Sequence, residues 1–184
     1  MKPVRVIGID PGLNGGWAVV DQHGGLINCG HFPTHSVRKN GKASNQLDGA
    51  AMADLFEINC YDIPSITTDK RQSVDDLVYG FVEVVSSRPR QAGQFQFGIN
   101  CGMVHGVLHA LNIPFDFVAP VSWKSMYGIK RGEEATKSSV KSEAREIAAR
   151  LFPKHANRFA RVKDDGVAEA ALIALYGLQK LSQQ

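Results

Sequence analysis

The sequence is poor in cysteine and has no long apolar run. Its three cysteines, Cys29, Cys60 and Cys101, are odd in number, far apart and without a CxxC pair. That excludes a disulfide framework and offers no zinc-ligand spacing, so reduced thiols are expected. No window approaches the 18 or more apolar residues of a transmembrane helix. The short apolar run after Met1-Lys2-Pro3 meets Asp10 too soon for a signal peptide. The expectation is a soluble cytoplasmic protein with no membrane partner. An excess of one charge is also lacking, since 21 Lys and Arg against 18 Asp and Glu leave only +3. What is present is 43% hydrophobic residues over 184 positions. That suffices for a single domain, residues 1–184, burying about two-thirds of its unfolded surface.

Turn residues and apolar runs divide the chain. Val4 to Ile9 is a β-branched run stopping at Asp10-Pro11-Gly12, and Trp17 to Val20 and Leu26 to Phe32 follow after glycine-rich turns. These read as an antiparallel three-strand meander. Pro33 to Gln46 is polar and predicts a mobile loop. Asp48 is placed to cap a helix to Ile58, with Ala51, Leu55 and Ile58 at helical spacing. The stretch from about residue 58 to 80 resists assignment until Val78 to Val85 reads as a buried strand. Phe97 to Leu111 predicts a buried helix and Phe115 to Val118 a short strand. Thr136 to Leu151 is amphipathic, with Val140, Ala144, Ile147, Ala148 and Leu151 on one face. Asp165 to Leu181 closes the chain as a helix with Ala168, Leu172, Leu175 and Leu178 facing the core. A meander followed by alternating helices and strands predicts an α/β fold with a mixed sheet flanked by helices.

Three groups of carboxylates stand at the ends of these elements. Asp10 ends the first strand, where ligands of α/β sheets gather, although a turn aspartate before Pro-Gly would look the same. Glu83 interrupts Val82-Glu83-Val84-Val85, where an unpaired carboxylate costs several kcal/mol; the solvent face of an edge strand is the bland alternative. Asp165 and Glu169 lie four apart on one face of the last helix, near an N-terminus whose dipole favours anions anyway, and Asp164 is an alternative to Asp165. Together they offer oxygen-only ligation suited to Mg²⁺ or Mn²⁺. Two such ions about 4 Å apart can serve an attacking water and the leaving oxygen of a phosphodiester.

Basic residues concentrate between Pro120 and Lys163, where eleven Lys or Arg meet four Asp or Glu. Lys124, Lys130, Arg131, Lys137, Lys141, Arg145, Arg150, Lys154, Arg158, Arg161 and Lys163 could follow a phosphate backbone, and Arg88 and Arg90 add two cations after Glu83. Lys137 and Lys141 stand one turn apart at a helix start, where backbone N–H groups also attract phosphate. Nothing reveals a base-reading code.

Taken in order, these segments resemble the RuvC-type Holliday junction resolvases, phage-type members especially. Ile7-Gly8-Ile9-Asp10-Pro11-Gly12 with Gly15-Gly16-Trp17-Ala18-Val19-Val20 is similar to the family's first hairpin. Glu83 to Gly93 is similar to its second acidic strand and following loop, and Phe97-Gly98 and Gly102 to its glycine-containing helix. Pro120-Val121-Ser122-Trp123-Lys124, Gly128 and Thr136-Lys137-Ser138 look like its basic segment, and Lys163 to Ala170 like its closing acidic motif. The last pair, Asp165 and Glu169, departs from the two Asp three apart that are usual in the bacterial enzymes, and residues 58–80 have no counterpart. The resemblance implies a ribonuclease H-like fold, a homodimer and Mg²⁺-dependent nicking of four-way DNA junctions, leaving 5′-phosphate and 3′-hydroxyl ends. It implies Asp10, Glu83, Asp165 and Glu169 as ligands of two ions, with Asp10 bridging, and Lys124 and Lys137 as DNA contacts. Lys137 is in addition a candidate to stabilise developing charge. Phe95 is a candidate to stack on bases at a branch point, and Phe97 is read as core. Other branched or hybrid substrates, or junction binding without catalysis, are the alternatives.

Overall fold

The computed structural model describes residues 4–39, 41–61, 77–84, 93–129 and 137–183. A five-stranded mixed sheet forms the centre. It contains β1 (Val4–Asp10), β2 (Gly16–Val20), β3 (Leu26–Gly30), β6 (Leu77–Glu83) and β7 (Phe115–Val118), in the order β3-β2-β1-β6-β7. β1, β2 and β3 are antiparallel, whereas β6 runs parallel to β1 and β7 parallel to β6. The meander and the mixed sheet are as the sequence predicts.

Helices cover both faces. On one side lies α5 (Asp165–Leu181), flanked by α4 (Lys137–Leu151) and α3 (Pro120–Met126). On the other are α1 (Gly49–Tyr61) and α2 (Gln94–Ala110), whose Met52, Phe56, Cys60, Val104, Val107 and Leu108 pack with Ile7, Ile9, Val19 and Val82. α5 lies so close to the sheet that a Cβ at Gly8 would meet the Ala170 oxygen and the Ala174 nitrogen, and one at Gly16 would stand 2.7 Å from the Val167 Cα. Glycine is required at both positions because backbone, which cannot swing aside, fills the space.

Four expectations need correcting. Pro33 to Gln46 is not a mobile loop. It forms a separate two-stranded sheet of β4 (Thr34–Lys39) and β5 (Lys42–Leu47), in register from Thr34–Leu47 to Lys39–Lys42. Asn40-Gly41 is the two-residue hairpin signal, and Gly41 has φ +76°. Second, α1 is capped as expected, the Asp48 carboxylate accepting from the Ala51 N–H at 3.0 Å. Its buried residues, however, are Met52, Phe56 and Cys60, leaving Ile58 44% exposed. Third, α2 is half-exposed rather than buried, because its face at Gly98, Gly102 and Gly106 packs on nothing within 4 Å. Fourth, Leu151 lies at the exposed edge of α4 while Ala144, Ile147 and Ala148 are buried. α3 went unread, and residues 62–76 of the unassigned stretch lie outside the described residues.

Candidate active site

Asp10 and Glu83 end neighbouring parallel strands. The β1–β6 register runs to Ile9–Val82, so the two carboxylates stand one step further at the same level. Alternation along a strand places Asp10 on the face of Gly8 and Glu83 on the face of Phe81. Both residues meet α5, Phe81 through Gly177, so both carboxylates belong to the α5 side. β6 lies between β1 and β7, so Glu83 is on no edge strand, and it is buried.

α5 contributes Asp165 and Glu169 from its first turns, both buried. The glycine contacts that seat α5 on β1 and β2 hold these carboxylates over the carboxyl ends of the parallel strands, where α/β sheets place their ligands. α3 follows β7, whose Val118 pairs with Glu83, and so delivers Trp123 and Lys124 to the same place. The Trp123 indole donates to Glu83 Oε1 at 2.8 Å, and Lys124 Nζ lies 3.1 Å from Glu169 Oε1. From α4, Arg145 Nε donates to Asp165 Oδ1 at 2.8 Å.

Burial pushes the Glu83 carboxyl up, and nearby Glu169 adds to the effect; the Trp123 hydrogen bond and the Lys124 charge oppose it. A carboxylate pressed against another carboxylate is strained unless a cation neutralises it. Here Lys124 supplies that charge beside Glu169, and Arg145 supplies it to Asp165. Arg145, read from sequence as one of many cations along a phosphate backbone, is turned inward onto Asp165.

Asp164 has a different task. It is buried, and its carboxylate accepts from the Arg161 backbone N–H at 2.9 Å, from Arg161 Nε at 3.0 Å and from Arg161 Nη2 at 2.9 Å. His31 Nε2 lies 3.2 Å from the same group, while His31 Nδ1 is 3.3 Å from the Gly15 carbonyl. Burial would raise the Asp164 carboxyl, but the Arg161 and His31 hydrogen bonds outweigh it and hold it at about 2. Asp164 thus braces the start of α5 against the β1–β2 turn, whereas Asp165, the next residue, pairs with Arg145 of α4.

All four carboxylates are oxygen donors, matching the preference of Mg²⁺ or Mn²⁺, and a buried Glu83 beside Glu169 has the excess negative charge that such an ion relieves. Among the described residues no three His, Cys, Asp or Glu side chains converge closely enough to hold a metal as they stand. The donors fit the ion in kind, and an ion would have to exchange with Lys124 and Arg145.

Of the other predicted residues, Lys137 and Lys141 start α4, although only their backbone is described. Arg88, Arg90, Lys130 and Arg131 lie outside the described residues. Phe95 is 84% exposed on α2, and Phe97 is half-buried rather than core. Sequence reasoning missed Trp123 and His31 as supports. The available signal was that a buried tryptophan needs an acceptor for its indole N–H. No helix among the described residues is long and apolar enough to cross a membrane.

No family model and no curated protein matches the sequence. Among solved structures, the chain is similar to Thermus thermophilus RuvC in complex with a Holliday junction substrate, at 15% identity over 97% of this chain and 96% of that one, with a TM-score of 0.50. It also matches a Thermus thermophilus RuvC structure at 16% identity over 95% and 96%, with a TM-score of 0.40. The likeness is one of architecture, and the chain has the ribonuclease H-like α/β fold of RuvC.

Proposed function

We propose that the chain is a structure-selective DNA endonuclease that resolves four-way junctions by metal-dependent phosphodiester hydrolysis, leaving 5′-phosphate and 3′-hydroxyl ends. One observation carries the reading. Asp10 and Glu83 end two parallel strands directly beneath the α5 turns that hold Asp165 and Glu169, within a fold shared with a protein solved on a Holliday junction.

In this reading Asp10, Glu83, Asp165 and Glu169 hold two divalent ions, Mg²⁺ with Mn²⁺ as a substitute. When bound, such ions supply a nucleophilic water at neutral pH and neutralise charge at the phosphate. Trp123 orients Glu83 through its indole N–H. Lys124 and Arg145, released from Glu169 and Asp165, become available to phosphate oxygens. Lys137 stabilises developing negative charge, while Lys141, Lys130, Arg131, Arg88 and Arg90 follow the backbone of the arms. A homodimer would set two such sites on symmetric strands of the junction.

The test is cleavage of an immobile synthetic four-way junction with Mg²⁺, alongside EDTA and Asp10→Asn controls and duplex, flap and RNA–DNA hybrid substrates. Paired symmetric nicks on the junction that vanish in both controls are expected. Equal cleavage of the other substrates would replace junction resolution with a broader nuclease activity. Tight binding without nicks under either metal would make the protein an architectural one.

A further inference from the structure

The β4–β5 hairpin has no role in the carboxylate cluster, yet it leaves the sheet beside it. β3 ends at Gly30 opposite Trp17, and the next residue along β2, Gly16, is opposite Asp10, so β3 emerges at the carboxylate end of the sheet. His31, the first residue beyond it, reaches Gly15 and Asp164. The base of the hairpin is pinned. The Asp48 N–H donates to the Pro33 carbonyl at 2.9 Å, and Phe32 and Leu47 are buried in the core. Beyond that base the ribbon stands apart from the main sheet, and Arg38, Gly41 and Ala43 near its tip are exposed. Six residues per strand give it a length of roughly 20 Å.

Its charge is of one sign. Residues 22–47 contain Arg38, Lys39 and Lys42 and no Asp or Glu. Lys39 and Lys42 are direct cross-strand partners, with Arg38 opposite Ala43 at the adjoining position. Like charges placed directly opposite each other destabilise a hairpin, so this arrangement works against folding unless a polyanion neutralises it. Because alternate positions face opposite ways, Arg38 lies on one face of the ribbon and Lys39 and Lys42 on the other. A two-stranded ribbon of this width fits the major groove of B-DNA, where cations on both faces meet the phosphates of both groove walls.

We propose that the β4–β5 hairpin is a DNA-arm clamp, a basic ribbon that enters the major groove of the duplex flanking the cleaved phosphate. It binds through Arg38, Lys39 and Lys42 without reading bases. The inference rests on the DNA-directed reading above and adds to it a second contact surface, outside the carboxylate cluster.

The experiment is the salt dependence of binding to a four-way junction and to one of its duplex arms, measured in EDTA for wild type and for the triple variant Arg38→Gln, Lys39→Gln, Lys42→Gln. Each phosphate contact adds about 0.9 to the slope of log K against log salt. The variant is expected to lose about two to three from that slope and roughly 10- to 100-fold in affinity at 0.1 M salt. Its melting temperature should equal or exceed that of wild type, because three like charges at neighbouring register positions are removed. Hydroxyl-radical footprints should lose protection on one arm while protection around the junction centre remains. A variant with unchanged slope and footprint overturns the clamp. So does one whose DNA binding is unchanged while wild-type association with anionic phospholipid vesicles is lost. Failure of wild type to bind any DNA instead refutes the reading on which the clamp rests.

Discussion

Asp164 and Asp165 are adjacent carboxylates with different work, and Asp164→Asn separates them. The Asp164 carboxyl sits at about 2 against an ordinary 3.8. At about 1.36 kcal/mol per unit this is roughly 2.4 kcal/mol of stability. Arg161 is 62% exposed, so solvent screening reduces the figure to about 1–2 kcal/mol. The asparagine also turns an amide N–H₂ toward the Arg161 donors, which brings the cost to about 2–3 kcal/mol. For a chain of this size that is a fall in melting temperature of about 5–10 °C. The carboxyl is depressed in the folded state, so its contribution is complete above the ordinary carboxylate range and fades as pH falls from about 4 toward 2. Urea unfolding of wild type and Asp164→Asn at pH 7 should show the full gap, and at pH 2.5 most of it should be gone. A gap under about 0.5 kcal/mol at pH 7, or one that survives unchanged at pH 2.5, would refute the assignment of Asp164 as the brace of α5.

Three further outcomes are expected. Arg145→Gln removes the cation that Asp165 holds, so isothermal titration should show Mn²⁺ binding roughly two- to tenfold tighter, about 0.5–1.4 kcal/mol; weaker binding would mean that Arg145 supports the site rather than competing for it. Trp123→Phe deletes the hydrogen bond that holds Glu83 down against burial and Glu169, which moves the acid limb of the cleavage profile to higher pH. The deficit should therefore be larger at pH 6 than at pH 8, and a uniform loss across that range would count against the indole's electrostatic role. Gly8→Ala puts a methyl into the Ala170–Ala174 backbone, and a loss of about 3 kcal/mol or more is expected in denaturant unfolding, at the upper end for overpacking; a fully stable variant would show that α5 does not rest on β1 there.

The three free cysteines are poor nucleophiles for reasons the fold supplies. Burial pushes the Cys29 thiol up to about 11 and that of Cys60 to about 12, while Cys101 is raised by burial and by Asp10. Thiolate is the reactive form, so alkylation of the folded protein should be slow at neutral pH.

The strands of the meander were readable from local pattern alone, since β-branched runs between glycine turns have few other conformations. The amphipathic helices, read over 136–151 and 165–181, and Asp10, Glu83, Asp165 and Glu169 as the carboxylates to watch were also visible in local pattern. These were legible because local pattern governs them: a charge at the end of an apolar run stands out wherever the chain then goes. The β4–β5 hairpin was misread because its strands are polar on both faces, so the two-residue period that marks a half-buried strand is missing; only Asn40-Gly41 announced it. α2 was misread as buried because glycine counts toward apolar character in a pattern, whereas Gly98, Gly102 and Gly106 bury no side chain. Local pattern gave adjacent Asp164 and Asp165 no distinct surroundings, because besides the nearby Arg161 the partners that differ between them are His31 and Arg145, both far along the chain from the carboxylate they meet. The His31–Asp164 and Arg145–Asp165 contacts exist only once α5 has settled onto Gly8 and Gly16, because long-range contacts are set by packing and not by the period of any segment.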